Sequence, residues 1–563
     1  MQTNRHLVMT LMVLNIIKTK WRTIVLVTVP LFLSPLVITG IPSLQCGFVI
    51  LVVSIYWVSE VMNIAITALI PAVLFPIFGI LEPSKVASCY MKDITLMLIG
   101  GLIIAKTVEK QKLHSRFALR VLTLMGPNPI FQYLGFMLST WFFSMWVSNA
   151  TITAMMITLA NAVVEEWKII AQCTLEPEFA KEVNMSEHIS DGTPSTVNSS
   201  MEKSGLNKIQ YKQVESISKG LLISIAYSAT CGGMATIPGT PPNMVLYGFI
   251  GDYYGPRLNL NFGTFMLFSL PMSTINILSC WLLLLFQYVG YKNIFNRQPE
   301  PERDKKIMEI LETQYKDLGP ISYGEISTLV VVGFLVFLRI MRETAMQALQ
   351  KLTSRTTYWT DGISAILAAW LVFNLPNKNP FKASKHRSEK LMNWPYIEKK
   401  LAWNIVFLFG GGFTLAAGCD KSGLSANIGS LLTHLKDFPH YVIILCVSLG
   451  ISFFTEITSN VVTATILLPV MLKMAECIGM HPMRIGLTVT IACSFSFCLP
   501  AGTPANAIVF STGKIRVIEM VSSGIILNMI CVLNLSLMAY FYSVPIFHTN
   551  VFPDWIESNC TRF

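Results

Sequence analysis

The chain is dominated by apolar runs, many of them long enough to cross a lipid bilayer. A membrane-spanning helix needs about 20 predominantly apolar residues, and such runs lie near 23–40, 264–290, 325–341, 441–474 and 516–546. Only 13% of the 563 residues are charged, whereas an average soluble protein carries about 25%. Polar groups could not cover this much apolar surface in water. The sequence therefore predicts an all-α polytopic membrane protein with about 11 transmembrane helices.

The charged residues and the missing motifs exclude several functions. The net charge is +10, but the basic residues lie between apolar runs, which indicates cytoplasmic loops and no nucleic-acid partner. No Gly-x-x-x-x-Gly-Lys-Ser/Thr loop is present, which argues against an ATP-driven pump. The sequence contains neither a His-Glu-x-x-His motif nor a catalytic triad signature, so nothing in it indicates an enzyme. The 12 cysteines are scattered without a Cys-x-x-Cys pair, so we expect no metal site beyond sodium, no disulfide framework and no cofactor.

Polar segments interrupt the apolar pattern in three places. Residues 165–216 are rich in Glu, Ser, Thr, Asn and Lys and are predicted to form a flexible loop. Residues 292–324 are charged and are predicted to include a surface helix, and residues 376–400 form a basic loop. All three are most simply cytoplasmic by charge.

Two short motifs occur twice at one offset. A glycine pair and a Ser-Asn pair both recur 311 residues later, as Gly100-Gly101 with Gly411-Gly412 and Ser148-Asn149 with Ser459-Asn460. A third motif, Gly-Thr-Pro-x-Asn, occurs at 239–243 and again at 502–506, which is an offset of 263. The offset drops by 48, close to the size of the polar segment at 165–216, which the second half lacks. The halves are therefore one structural unit used twice, as in secondary transporters whose sites lie between repeats.

The Ser-Asn motifs interrupt runs that could otherwise span the membrane. Ser and Asn side chains compete with the helix for backbone hydrogen bonds, and a broken helix is tolerated in lipid only where it lines a cavity or meets a ligand. Its amides then face an anion and its carbonyls face a cation. We predict broken helices at 148–151 and 459–463.

The Gly-Thr-Pro-x-Asn turns supply a second wall. Glycine allows close backbone approach, and Pro241 and Pro504 stop a helix. Thr240 and Thr503 offer hydroxyls, and two amides are offered by Asn243 and Asn506. These hard oxygen donors suit sodium. The alternative is ordinary helix packing, in which Ser, Thr, Asn and Gly are common contacts.

The glycine clusters leave two interpretations open. They could be close-packed helix contacts or the tips of re-entrant hairpins, and we favour hairpins near 94–108 and 402–418. Glu456, three residues before Ser459, is the strongest candidate for an intramembrane proton relay.

These assignments divide the chain. Residues 1–164 and 217–291 form the first repeat, separated by the loop at 165–216, and a charged linker at 292–324 follows. Residues 325–546 form the second repeat. The tail at 547–563 contains Asn559, which is in a glycosylation sequence that can be used if this end is extracellular.

The sequence resembles the divalent anion/sodium symporter family, which includes sodium-coupled di- and tricarboxylate transporters, sodium-sulfate transporters and the insect INDY transporters. The likeness extends from residues 55–80 to residues 499–513 and includes the paired Ser-Asn motifs with their Pro-Asn turns. The resemblance implies an inverted-repeat fold with eleven spans, two re-entrant hairpins, an elevator motion and a homodimer. It also implies a cytoplasmic N-terminus and a glycosylated extracellular C-terminus. The absence of an obvious mitochondrial targeting segment favours the plasma membrane.

The resemblance also assigns roles by position. It implies substrate contacts and two sodium sites, together with the turns that support them. Substrate-binding residues would be Ser148, Asn149, Ala150, Thr151, Ser459, Asn460, Val461, Thr240 and Thr503. Sodium would bind Ser144, Ser148, Asn149 and Gly239 at one site and Thr455, Thr458, Asn460 and Gly502 at the other, with Pro241, Asn243, Pro504 and Asn506 in the turns.

One departure from the family pattern concerns the substrate. Many carboxylate transporters of the family have Thr where this chain has Ala150, whereas insect INDY-like members share the Ala and some work without sodium. The lead hypothesis is sodium-coupled symport of succinate, citrate and related carboxylates. The alternatives are a sodium-sulfate symporter, a sodium-independent carboxylate exchanger and a membrane scaffold that does not transport.

Overall fold

A computed structural model describes residues 20–173, 195–290, 301–353, 359–379, 389–425, 427 and 436–556. The described residues are almost entirely helical, and their one β-type pairing is an isolated bridge between Pro376 and Lys390. This confirms the all-α membrane fold that the apolar runs predict. Many helices begin with a proline in their first turn, where its missing N–H costs nothing; Pro42, Pro129 and Pro504 are examples.

The first half of the chain contains eleven helices within the described residues. In chain order they are α1 (Lys20–Ile38), α2 (Pro42–Ser59), α3 (Ile64–Ile77), α4 (Pro83–Tyr90), α5 (Asp93–Lys110), α6 (Leu113–Met125), α7 (Pro129–Ser144), α8 (Asn149–Cys173), α9 (Ser195–Gly233), α10 (Pro241–Tyr254) and α11 (Phe262–Val289).

The second half contains ten described helices. They are α12 (Pro301–Asp317), α13 (Tyr323–Thr353), α14 (Asp361–Asn374), α15 (Trp394–Lys400), α16 (Trp403–Ser422), α17 (His440–Ile457), α18 (Asn460–Ile478), α19 (Pro482–Ala492), α20 (Pro504–Ser511) and α21 (Val517–Phe547).

Eight of the described helical stretches are long and apolar enough to cross a membrane, or nine if α15 and α16, bent by 62°, form one broken span. The sequence predicts about 11 spans. The difference arises because breaks shorten some helices below the length of a simple span, while polar residues make others less apolar than a simple span. Helix α3, for example, is a short apolar helix, and α9 carries many Ser and Thr residues.

The first Ser-Asn motif lies at the tip of a helical hairpin. Helix α7 runs alongside α9, since Tyr133 contacts Ile217 and Ser144 contacts Ala229. After a four-residue turn, α8 starts at Asn149, which touches Gly233 at the end of α9. Helix α8 also packs along α9, and α9 does not continue beyond Gly233, so α8 must run back along it.

The second half repeats this hairpin. Helix α17 ends beside the end of α19, because Thr455 contacts Cys493. Helix α18 begins only three residues after Ile457 and packs along α19. Since α19 ends at Ala492, α18 must also turn back. The hairpins are therefore α7–α8 and α17–α18, with one Ser-Asn motif at each tip.

The predicted positions of the hairpins and breaks need correction. Gly100-Gly101 and Gly411-Gly412 lie in the middle of continuous helices α5 and α16, so 94–108 and 402–418 are not hairpins. An added methyl group at Gly100 would lie 2.5 Å from the Ala365 backbone, and one at Gly411 2.6 Å from the Ala68 carbonyl oxygen. These glycines allow close helix packing, the alternative interpretation. The breaks at 148–151 and 459–463 come earlier than predicted, because Asn149 and Asn460 already begin helices.

The predicted polar loop at 165–216 is shorter in the structure. Helix α8 continues to Cys173 and α9 begins at Ser195, while 174–194 lie outside the described residues. The polar stretch extends existing helices because Glu, Lys, Gln and Ser are compatible with a helix once a packed apolar segment has nucleated it. The charged segment at 292–324 contains the predicted helix, α12. Cys477 is disulfide-bonded, and nine other described cysteines are free.

The apolar core forms three clusters. The largest joins both hairpins with α9, α10, α11, α19 and α21. A second cluster lies around α2 and α3 and part of α16, and a third lies between α5, α13, α14 and α15. Both Ser-Asn motifs therefore belong to one large packed body, flanked by helices with cores of their own.

Candidate functional site

The first half-site is an oxygen cluster at the tip of α7–α8. The Ser144 hydroxyl lies 2.6 Å from the Asn149 side-chain oxygen and 2.7 Å from the Ala229 carbonyl oxygen. Ser144 is fully buried, and it lies at the last position of α7, where the helix carbonyls lose their partners. The turn is also tied to the end of α9, because the Thr236 hydroxyl donates to the Met145 carbonyl at 2.6 Å.

The second half-site has the same contacts. The Thr455 hydroxyl lies 2.9 Å from the Asn460 side-chain oxygen and 2.8 Å from the Cys493 carbonyl oxygen. Thr455 follows Ser144 by 311 residues, and Asn460 follows Asn149 by the same offset. The repeat read from the sequence is thus a repeat of hydrogen-bond geometry. Thr458 belongs to the same tip, where its hydroxyl lies 2.6 Å from that of Thr463.

In each cluster one hydroxyl proton faces two acceptor oxygens. A hydroxyl has one proton, so Ser144 can bridge to one of its two oxygen neighbours, and so can Thr455. The remaining oxygen–oxygen approach in each cluster has no proton between its atoms. A small hard cation coordinated by hydroxyl, amide and carbonyl oxygens would compensate this arrangement.

The two Gly-Thr-Pro-x-Asn motifs hold the chain breaks that border these clusters. The Asn243 amide donates to the carbonyl oxygens of Gly233 and Thr236 at 3.2 and 2.7 Å. The Asn506 amide donates to the corresponding carbonyls of Ser496 and Leu499 at 3.0 and 3.1 Å. Both asparagines are fully buried. They donate to carbonyls that the broken helices leave free.

The glycines of these turns lie where no side chain fits. A methyl group at Gly239 would overlap the Gly233 carbonyl oxygen, and one at Gly502 would overlap the Ser496 hydroxyl. Thr240 and Thr503 follow them in extended conformations and cap α10 and α20. The Thr503 hydroxyl accepts a hydrogen bond from the backbone N–H of Asn506 at 3.2 Å. The close approach of the Gly233 carbonyl to Gly239, and of the Ser496 side chain to Gly502, explains why both turns need Gly.

Glu456 has a structural role that sequence reasoning missed. Its buried carboxylate accepts from the amide nitrogens of Phe497, Cys498 and Leu499 at 2.8 to 3.1 Å and from the Asn528 side chain at 2.8 Å. The carboxylate holds the second chain break, whereas the first repeat has Met145 at this position. These oxygens are occupied by fixed donors, so the geometry offers no proton relay. The signal in the sequence was the acidic residue itself, inside an apolar run.

The predicted site residues divide by accessibility. Ser148 is exposed, and Asn149, Ala150, Thr151, Ser459, Asn460 and Val461 are half-buried. Ser144, Gly239, Thr455, Thr458 and Gly502, predicted for sodium alone, are buried. Thr240 and Thr503, predicted for substrate, are buried as well. The hairpin tips therefore present an accessible surface with polar clusters behind it.

The repeats interlock around the tips. Helix α10, which follows the first turn, packs against α18 and α19, and α20, which follows the second turn, packs against α8 and α9. Four helices, α8, α10, α18 and α20, begin at a Ser-Asn tip or its turn. Helix N-termini carry partial positive charge and bind anions. The predicted site residues include no formal charge, so these helix ends and any bound cation would balance an anion.

A large cavity lies away from the tips. It has a volume of about 980 Å³ and is lined by the far ends of α10 and α16, including Asp252, Tyr253 and Phe413. Lys92 pairs with Asp252 there and lies 4.5 Å from the centre of the Phe413 ring. None of the predicted site residues lines this cavity. Asn559, the predicted glycosylation site, lies outside the described residues.

Comparison with known proteins identifies relatives over nearly the whole chain. Residues 17–548 match the family described as the sodium:sulfate symporter transmembrane region. The chain is 32% identical to Na(+)/dicarboxylate cotransporter 3 of Rattus norvegicus, over 96% of this chain and 95% of that protein. It is 33% identical to the Na(+)/citrate cotransporter of Rattus norvegicus, over 94% and 96%. It is 36% identical to solute carrier family 13 member 2 of Oryctolagus cuniculus, over 94% and 95%.

Proposed function

Because this chain belongs to the sodium:sulfate symporter family, we propose that it is a secondary active transporter that carries di- and tricarboxylates, such as succinate and citrate, together with sodium. The observation that carries this proposal is the pair of oxygen clusters at the two hairpin tips. Ser144 with Asn149 and Thr455 with Asn460 each place a buried hydroxyl between two acceptor oxygens. Sodium would bind at both clusters, using Ser148 and Gly239 in the first and Thr458 and Gly502 in the second.

The carboxylate would bind on the accessible side of the same tips. Ser148, Asn149, Ser459 and Asn460 offer hydroxyls and amides there, with Ala150, Thr151 and Val461 beside them, while Thr240 and Thr503 shape the wall behind. A carboxylate bound between the two tips would face the N-termini of helices from both repeats and both sodium ions. It would therefore be stabilised more than a carboxylate bound at one half-site alone. Coupling follows, because each ion makes binding of the other more favourable.

The names of the relatives favour carboxylates. One relative is a Na(+)/dicarboxylate cotransporter and another a Na(+)/citrate cotransporter. Two alternatives rest on specific observations. The family description names sulfate, which makes sodium-sulfate symport the second candidate. Ala150 lacks the hydroxyl that the family pattern places there, which keeps a sodium-independent carboxylate exchanger as the third.

Uptake into expressing cells tests these candidates together. Radiolabelled succinate, citrate and sulfate are supplied in sodium medium and in choline medium, with cells expressing Asn149→Ala as the matched control. Carboxylate uptake that needs sodium supports the proposal. Equal carboxylate uptake in choline identifies an exchanger, and sulfate uptake without carboxylate uptake identifies a sulfate symporter. If the protein reaches the cell surface but takes up none of these anions, the result would support the hypothesis of a scaffold that does not transport.

The same proposal includes a topology and a motion. The large packed body that holds both tips would move across the membrane against α1–α4 and α13–α15, as an elevator in a homodimer of inverted repeats. The separate cores of these flanking helices support a division into two bodies. The N-terminus would be cytoplasmic and the C-terminus outside the plasma membrane, with Asn559 glycosylated. A disulfide at Cys477 agrees with an oxidising compartment at that end of α18.

Two measurements test this topology and assembly. Asn559→Gln should increase electrophoretic mobility by the mass of one glycan, and a native mass of two chains plus detergent would support the dimer. An unchanged mobility would contradict an extracellular glycosylated tail.

A further inference from the structure

The exposed face of α8 leads away from the first Ser-Asn tip. Ala154, Thr158 and Glu165 are exposed at the spacing of one helix face, and the exposed Ser148 lies in the tip just before the helix. On α20, which packs beside α8, the exposed residues are Pro504, Ala507 and Ser511. These exposed, mostly small and polar residues of two neighbouring helices are here called the α8–α20 strip.

The composition of this strip indicates contact with water. Among the described side chains of α8 and α20, none of the exposed ones is a large hydrophobic residue. Helix α21, by contrast, exposes Ile518, Ile525, Met529 and Leu533, as expected of a face covered by lipid. A strip of Ser, Thr, Ala and Pro would be poorly matched to lipid and suits the wall of an aqueous passage.

Two lysines lie at the far end of the α8–α20 strip. The Lys514 ammonium donates to the Asn161 side-chain oxygen at 2.9 Å, about 18 Å along α8 from Asn149 by the rise of a helix. Burial and the neighbouring Lys168 lower the pKa of Lys514, while Glu165 raises it. Neither Lys514 nor Lys168 forms an ion pair within the described part of the chain.

This lack of pairing distinguishes the two lysines from their neighbours. Lys219 pairs with Glu215 and Glu519, and Arg516 also pairs with Glu519. Glu215 and Glu519 are thus neutralised by other cations, and Glu165, whose charge acts on Lys514, offsets only one of the two lysines. Lys514 and Lys168 keep their charge available at the end of a water-accessible strip that begins at the hairpin tip.

We propose that Lys514, with Lys168, forms a cationic mouth that concentrates carboxylate anions at one end of the α8–α20 strip and so sets the affinity for substrate from that side of the membrane. This rests on the proposed function, because the ligand is the transported di- or tricarboxylate. Lys514 is a positioning residue that acts through space and does not contact the bound substrate at the tips. Two lysines beside one glutamate leave a net positive charge, which raises the local concentration of an anionic ligand.

The test compares substrate affinity from the two sides. Succinate uptake is measured in right-side-out and in inside-out membrane vesicles from cells expressing each variant. Lys514→Gln should raise the half-saturating succinate concentration about threefold to tenfold in one vesicle orientation only, the scale expected from the loss of electrostatic focusing. Lys168→Gln should act in the same direction, and Lys514→Arg should restore the wild-type value. Lys316→Gln, on an exposed side chain of α12, is the matched control and should change nothing.

Two further arms separate charge from structure. Asn161→Ala removes the hydrogen bond to Lys514 but keeps the charge, so it should change the affinity less than twofold. Raising the ionic strength with choline chloride at constant sodium should erase the difference between wild type and Lys514→Gln, because screening shortens the reach of charge to about 3 Å at 1 M.

Three results would overturn the inference. Lys514→Gln and Lys168→Gln could both leave the affinity unchanged in both vesicle orientations. Asn161→Ala could reproduce the defect of Lys514→Gln, which would make Lys514 a clamp between α8 and α20. A wild-type protein that takes up no carboxylate in either orientation would overturn the proposed function, and this inference with it.

Discussion

The Ser144 hydroxyl lies 2.6 Å from the Asn149 side-chain oxygen across the tip of the first hairpin, while the Ala229 carbonyl oxygen approaches the same hydroxyl to 2.7 Å. One proton cannot bridge both contacts. The relationship between Thr455 and Asn460 is the same in the second hairpin. Because the contact is duplicated, substitutions in one hairpin and then in the other measure how much each half contributes to sodium binding.

We expect Ser144→Ala and Thr455→Ala each to raise the half-saturating sodium concentration about tenfold, since each removes one hard ligand from a cation site. Asn149→Ala and Asn460→Ala should abolish uptake while surface expression persists. The measurement is succinate uptake over a range of sodium concentrations, with surface biotinylation as the control for expression. A sodium dependence unchanged in both hydroxyl variants would contradict the assignment of the clusters to sodium.

Gly100→Ala should destabilise the protein, while Gly101→Ala should not. A methyl group at Gly100 would lie 2.5 Å from the Ala365 backbone, whereas one at Gly101 meets nothing within 4 Å. Overpacking of this kind typically costs about 1–3 kcal/mol. The two variants differ by one position on one helix, so thermal denaturation in detergent compares them directly. Equal melting temperatures would argue against a packing role for the glycine pair.

Glu456→Gln should lower thermal stability and uptake together. The amide nitrogen of Gln would face backbone N–H donors, and hydrogen bonds to a charged group contribute about 1.5–3 kcal/mol each. Glu60→Gln, at an exposed position at the end of α2, is the matched control. If Glu456→Gln melts like wild type but loses the pH dependence of uptake, Glu456 carries a proton and does not anchor the second chain break.

His481 should make the folded protein sensitive to acid. Burial, together with Arg484 and His548, lowers the pKa of His481 to about 4, whereas the unfolded chain has a pKa near 6.5. The unfolded state therefore binds the proton first, and stability that is complete above about pH 6.5 falls as the pH drops toward 4. Between pH 7 and 5 the loss should be about 1–2 kcal/mol after allowance for solvent screening.

The variant His481→Asn isolates this effect. His481 accepts from the Met483 amide nitrogen as the cap of α19, and Asn is a good capping residue without a titrating proton. Its melting temperature should fall less than that of wild type between pH 7 and 5. An identical acid shift in both proteins would show that other groups control the response.

The two Ser-Asn motifs could be predicted as half-sites from the sequence because their chemistry is local. A Ser-Asn pair inside an apolar run is costly in lipid wherever it lies, and its recurrence at 311 residues marks Asn149 and Asn460 as equivalent positions of two repeats. The glycine pairs were misplaced for a related reason. Close helix packing and a re-entrant tip both favour glycine, so the presence of Gly100 is compatible with either. Only the contact of Gly100 with the Ala365 backbone shows that the glycine serves helix packing.

The sequence by itself determined that this chain lies in a membrane, that it consists of two related halves and which polar residues interrupt its helices. These properties follow from hydrophobicity and from spacing along the chain, which need no knowledge of distant contacts. Only the tertiary structure decided that the hairpins are α7–α8 and α17–α18 and that Glu456 anchors the second chain break. It also placed Lys514 beside Asn161. Each of these depends on atoms far apart in sequence, and packing alone brings those atoms together.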